Sequence, residues 1–196
     1  EGMEEYLDKG MQKYPEAMIA AAVVQGETET AKRLVEQGLP LEARGAKGRT
    51  ALLFAAWKGE LEMTKFLAEK GAKVENVVDE SGRQALALAA TQGHDDVVRW
   101  LLEERGVDTE AADRGGLTAL MWAAIEGKAG AVRILLEKGA NMEHKDADGM
   151  TALKLAAVFD RVDVAEMLVE KGAQKAEASE LAMRIHKNPE MMGILS

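Results

Sequence analysis

The chemistry-bearing side chains of this sequence are its loop carboxylates, its three histidines and one Gly-Lys pair. "DADG" (Asp146–Gly149) opens like a calcium loop, where alternating carboxylates ligate a hard cation, but no bidentate Glu follows at the place such a loop requires. "EGKAG" (Glu126–Gly130) holds a Gly-Lys pair without the glycine five residues earlier that a phosphate-cradling loop needs. His94, His144 and His186 are too far apart in sequence to read as a metal site, and none of the three serines sits in a nucleophile elbow. Asp95, Asp96, Glu103 and Glu104 fall on one helix and read as its solvated face. With no convergent acid, base or nucleophile, neither catalysis nor a metal or cofactor is expected.

The composition narrows the partners. A net charge of −9 opposes general affinity for nucleic-acid backbones and anionic membrane surfaces. The longest uncharged apolar run, Ala17–Val24, is too short to span a bilayer, so no membrane insertion is expected. The absence of cysteine excludes disulfides and favours an intracellular, cytoplasmic setting, with nucleus or organelle left open. The chain opens on Glu1 rather than Met, so a missing targeting segment decides little. Apolar residues make up 47% and aromatic ones only 4%, the mix expected of thin layers of short helices.

What must position any functional side chain is a repeated element. Gly26, Gly59, Gly93, Gly127 and then Asp160 recur at spacings of 33, 34, 34 and 33. Gly38, Gly71, Gly106, Gly139 and Gly172 recur at 33, 35, 33 and 33. The extra residues fall in "VENVVDESG" (Val74–Gly82) and "LLEERG" (Leu101–Gly106). In each copy a Thr suited to N-capping (Thr50, Thr118, Thr151, with Gln84 the weak one) precedes a short helix carrying an Ala-Ala pair. A turn follows, then a second amphipathic helix that stops at a glycine, then a stretch of turn chemistry such as "ADRGG" (Ala112–Gly116).

This pattern resembles the ankyrin repeat over Ala17 to about Ala173. The resemblance implies an all-α solenoid of helix-turn-helix units joined by β-hairpin-like finger loops. The units read as 17–45, 46–78, 79–112, 113–145 and 146–177. Residues 1–16 read as an N-terminal capping helix (Glu4–Tyr14, closed by Pro15). Residues 178–196 read as a truncated C-terminal helix pair turning at Asn188–Pro189, with Met191, Met192 and Leu195 as its buried side. The sequence also departs from the family. Thr-Pro-Leu-His becomes Thr-Ala-Leu-Leu at Thr50–Leu53 and Thr-Ala-Leu-Met at Thr118–Met121, removing a polar bridge between repeats. Glu42, Glu75, Glu110 and Glu143 replace the family's loop Asn, which puts in question the hydrogen bonds that Asn would make.

The family's geometry would turn two rows of side chains toward a concave groove. The helix row holds Val24, Trp57, Lys58, Thr91, Gln92, Ile125, Val158 and Phe159; the finger row holds Arg44, Lys47, Arg49, Arg83, Arg114, Leu117, Lys145 and Met150. Trp100 and Trp122 fall at core offsets instead. Five repeats at roughly 9–10 Å apart make a surface of about 45–50 Å, which an extended segment of about 14 residues would span. The expectation is a monomeric, non-enzymatic protein-interaction module (adaptor, assembly factor or complex subunit). Its partner would be a protein segment bringing acidic residues to the fingers and apolar ones to the helices. The alternatives are a structural subunit that uses its convex face and an interaction domain of a larger enzyme.

Overall fold

In a computed structural model, the structure describes residues 17–185 and 188–196. The expected capping helix at Glu4–Tyr14, and His186, lie outside these residues. Among the described residues there are twelve α-helices and no strand, so the fold is all-α. By its backbone contacts the chain divides into two compact units, Glu1–Ala85 and Leu86–Ser196.

The first unit holds α1 (Met18–Gln25), α2 (Thr28–Glu36), α3 (Ala51–Lys58) and α4 (Leu61–Glu69). The Thr50 hydroxyl accepts the Leu53 N–H at 3.4 Å, satisfying one of the free donors at the start of α3. Gly26 and Gly59 end α1 and α3 in the left-handed conformation, at φ 76° and 77°, which a side chain would disfavour. α1 packs on α2 and α3, and α3 on α4. Ala55 and Ala56 are wholly buried, so the small pair lets these helices approach closely. Ile19, Leu52, Leu53 and Leu67 fill the interior, each contributing about 1.5–3 kcal/mol by leaving water.

The second unit runs through most of α5 (Ala85–Gln92), then α6 (Asp95–Glu103), α7 (Ala119–Glu126), α8 (Ala129–Glu137), α9 (Ala152–Val158), α10 (Val162–Glu170), α11 (Ala176–Ile185) and α12 (Pro189–Leu195). First helices pack on first helices (α7 on α9, α9 on α11), and second on second (α6 on α8, α8 on α10, α10 on α12), making two layers. Thr118 and Thr151 cap α7 and α9 as Thr50 caps α3. Met121 stands where the family carries His, and its sulfur accepts the Thr118 N–H at 3.5 Å. The extra residue near Gly106 is absorbed locally. Elsewhere the post-helix N–H reaches back five residues, as Ala140 does to Leu135; here Val107 reaches back six, to Leu101.

At the C-terminal end, Asn188 caps α12 by accepting the Glu190 N–H at 3.0 Å, and its amide donates to Asp160 at 2.7 Å. Met191 and Leu195, four residues apart on one helix face, are buried. Met192 lies beside that face and is half-buried, which corrects its place among the buried three.

Candidate partner-binding surface

Each finger is closed by the same backbone bond. Gly45 N–H donates to Arg49 O, Asp79 to Arg83, Asp113 to Leu117 and Asp146 to Met150, all at 2.9–3.0 Å. Neighbouring fingers are stitched at their tips within each unit. Glu80 N–H donates to Lys47 O at 2.9 Å, and Ala147 N–H to Gly115 O at 3.0 Å. The "DADG" carboxylate builds such a turn: Asp146 Oδ1 accepts the N–H groups of Asp148 and Met150 at 2.9 and 2.8 Å.

In the first unit the cations of the sequence-predicted surface separate into two kinds. Lys47 stands exposed at a finger tip. Arg44 is exposed but pinned, its Nη1 donating to Gly48 O at 2.6 Å and Val78 O at 2.5 Å. Lys58 donates to Val23 O and Val24 O at 2.9 and 3.1 Å and pairs with Glu60 at 2.7 Å. It thereby caps the C-terminal end of α1, where Val23 O also accepts the Gly26 N–H at 3.0 Å. Arg49 corrects the expectation of an outward finger cation, being only 2% exposed. Its Nε faces Asp79 Oδ2 at 3.4 Å, and its guanidinium carbon lies 5.1 Å from the Trp57 ring centre and 5.7 Å from that of Phe54. The charge is drawn in because a carboxylate and two aromatic faces replace its water. Burial lowers the Arg49 pKa below the ordinary arginine value, against the opposing field of Asp79.

Asp79, 2% exposed, joins these groups. Its Oδ1 accepts the N–H groups of Ser81 and Arg83 at 2.9 and 3.0 Å. Its Oδ2 accepts from Arg49 and, at 3.2 and 3.0 Å, from Nε and Nη2 of Arg83. Burial pushes this carboxyl up most strongly. The Arg83 N–H, the Arg83 guanidinium and the Ser81 N–H together outweigh burial and hold it below the usual aspartate value. Trp57 and Arg83 are half-buried over this cluster.

In the second unit Gln92, Arg114 and Lys145 are exposed, and Leu117, Ile125, Met150 and Val158 are half-buried. Phe159, at the end of α9, is 44% exposed. Thr91 is buried instead, because its hydroxyl donates back to Ala87 O at 2.6 Å. Arg161 Nε donates to Ile125 O at 2.8 Å, repeating at α7 the carbonyl capping that Lys58 performs at α1. Trp100 is buried; Trp122 is half-buried, with its indole N–H on Asp113 Oδ2 at 2.9 Å. Lys154 pairs with Glu177, and this bond, with the fields of Lys154 and Lys145, holds the Glu177 carboxyl below its usual range.

Asp79 and Asp113 were not singled out by sequence reasoning, although a signal exists: Asp-x-x-Gly recurs at Asp79–Gly82, Asp113–Gly116 and Asp146–Gly149. Among the described residues no three His, Cys, Asp or Glu side chains converge as metal ligands. No described helix is long and apolar enough to cross a membrane.

A family model described as ankyrin repeats (3 copies) matches residues 17–113 and 106–178. No curated protein matches the chain.

Proposed function

Because the chain belongs to the ankyrin-repeat family, whose members are protein-interaction modules, we propose that it is a non-enzymatic adaptor, assembly factor or complex subunit. It takes a partner's polypeptide segment on its finger turns and the C-terminal ends of its first helices. One observation carries this reading. The large hydrophobic side chains that stand exposed among the described residues are Val24 (42%) and Phe159 (44%). Both fall on the helix row, one in each unit, at the end of a first helix. An aromatic left in water is an interface anchor in waiting.

The surroundings of each cation favour some of them over others as partner contacts. Arg44, Arg49, Lys58 and Arg83 spend hydrogen-bonding capacity inside the molecule. Lys47 and Arg114 are exposed on the fingers, and the partner's carboxylates are assigned to them. Lys145 contributes to the same field, shared with Glu177.

The test is capture of proteins from source-cell extract by the intact chain and by a Lys47→Glu, Arg114→Glu, Phe159→Ala variant, with far-ultraviolet circular dichroism to check folding. A protein retained by the intact chain and lost with the variant establishes the surface. Equal capture by both moves the function to the second helices or the chain ends.

A further inference from the structure

We infer that Asp79 is a positioning residue of the partner surface in the first unit, setting the side chains of Arg83 and, through Arg49, Trp57. This rests on the proposed function for its biological meaning, but its physical content is independent of it. The two oxygens of Asp79 divide the work. Oδ1 takes two backbone N–H groups and builds the turn; Oδ2 takes the guanidinium groups of Arg49 and Arg83, with no backbone donor to it among the described residues. Arg49, so fixed, lies beneath the Trp57 ring. One carboxylate thus ties a finger side chain to a helix-row side chain.

The second unit repeats the division with a different donor. Asp113 Oδ1 accepts the N–H groups of Gly115 and Leu117 at 2.9 and 3.0 Å, and its Oδ2 accepts the Trp122 indole N–H. Asp79 and Asp113 therefore share with Asp146 the turn-building oxygen, and each adds a second oxygen that orients a large side chain specific to its own unit. A residue needed only for the turn would not require the second set of contacts. Preorienting Trp57 and Arg83 lowers the rotamer entropy lost on binding.

The two roles separate chemically. Asp79→Asn keeps an Oδ1 acceptor for the turn and removes the charge that gathers the guanidinium groups. The measurement is fluorine NMR of the full chain labelled with 5-fluorotryptophan, the Trp57 resonance being assigned by its loss in Trp57→Phe. Asp79→Asn is expected to shift the Trp57 resonance and raise its solvent isotope effect, leaving the Trp100 and Trp122 resonances in place. Arg49→Lys keeps the charge but loses the planar group beneath the ring, and is expected to move the same resonance; it serves as the second arm if Asp79→Asn does not fold. An unmoved Trp57 resonance in either folded variant overturns the inference. If the resonance moves while the Lys47→Glu, Arg114→Glu, Phe159→Ala variant captures partners normally, the positioning role stands and the proposed function falls.

Discussion

Glu110 accepts the backbone N–H of Asn141, 31 positions further along the chain, at 3.0 Å. Glu42 does the same for Lys73 at 2.8 Å, and Glu143 for Gln174 at 3.0 Å, each again 31 positions on. Three of the four glutamates that replace the family's loop asparagines, Glu42, Glu110 and Glu143, therefore bridge successive loops with their longer side chains. Glu110→Ala should cost about 1 kcal/mol, the usual net worth of such a bond. Glu110→Gln, which keeps an acceptor oxygen, should cost clearly less. Urea unfolding of the three proteins checks this; equal losses for Ala and Gln would show that charge rather than the hydrogen bond matters.

Breaking the Arg49–Asp79 pair from one side leaves a buried charge. Asp79→Asn should destabilise the protein by about 3 kcal/mol near neutral pH, the lower range for a buried pair deprived of one partner. The pH dependence has a definite sign. The folded pKa of Asp79 lies below its ordinary 3.8, so the native state binds fewer protons than the unfolded chain in that window. The stabilisation is fully present above 3.8 and is lost as pH falls through the folded value. The gap between wild type and Asp79→Asn should therefore narrow between about pH 7 and about pH 3. Urea midpoints at the two ends measure it, and a constant gap would remove the carboxylate's charge from the account.

The finger stitching makes a sharp prediction about two glycines. Gly116 and Gly149 have similar positive φ, 82° and 75°. A Cβ at Gly149 would meet nothing within 4 Å, whereas at Gly116 it would lie 3.1 Å from Ala147 N and 3.2 Å from Asp146 Cα. Gly149→Ala should cost the left-handed penalty alone, about 1–2 kcal/mol. Gly116→Ala should cost more, because backbone cannot swing aside as a side-chain tip can. Thermal unfolding of the two variants gives the order, and Gly149→Ala being the worse would contradict the stitched arrangement.

The sequence made the helix pairs, their caps and the all-α fold legible, since Thr50, Thr118 and Thr151 and the recurring glycines each have a local mechanical reason to be where they are. Even Asp160, in the fifth glycine's place, takes a positive φ of 54°, a region Asp tolerates better than most side chains. Less legible was which way a long side chain turns. Arg49 and Arg114 both lie in finger turns, yet one is buried and the other exposed. The difference lies in Asp79, Phe54 and Trp57, which gather around Arg49 only once the loop and helix are folded. A tertiary pairing of that kind has no period to betray it.

That distinction between inward and outward cations yields the last prediction. Lys58, on the helix row, and Lys47, on the finger row, were both expected on the partner surface, but Lys58 closes the end of α1 while Lys47 stands exposed at a finger tip. Lys58→Ala removes the side-chain donor to Val23 O and Val24 O, the first of which keeps the Gly26 N–H, and a favourable charge at a helix C-terminus, so stability should fall by about 1 kcal/mol. Lys47→Ala touches no such feature and should change stability by no more than about 0.5 kcal/mol. If the proposed function holds, partner capture should respond to Lys47→Ala and weaken further with added salt, because an exposed charge pair is screened. Chemical denaturation and capture, run on both variants, separate the roles: a stability loss from Lys47→Ala with none from Lys58→Ala would reverse the assignment of the two lysines.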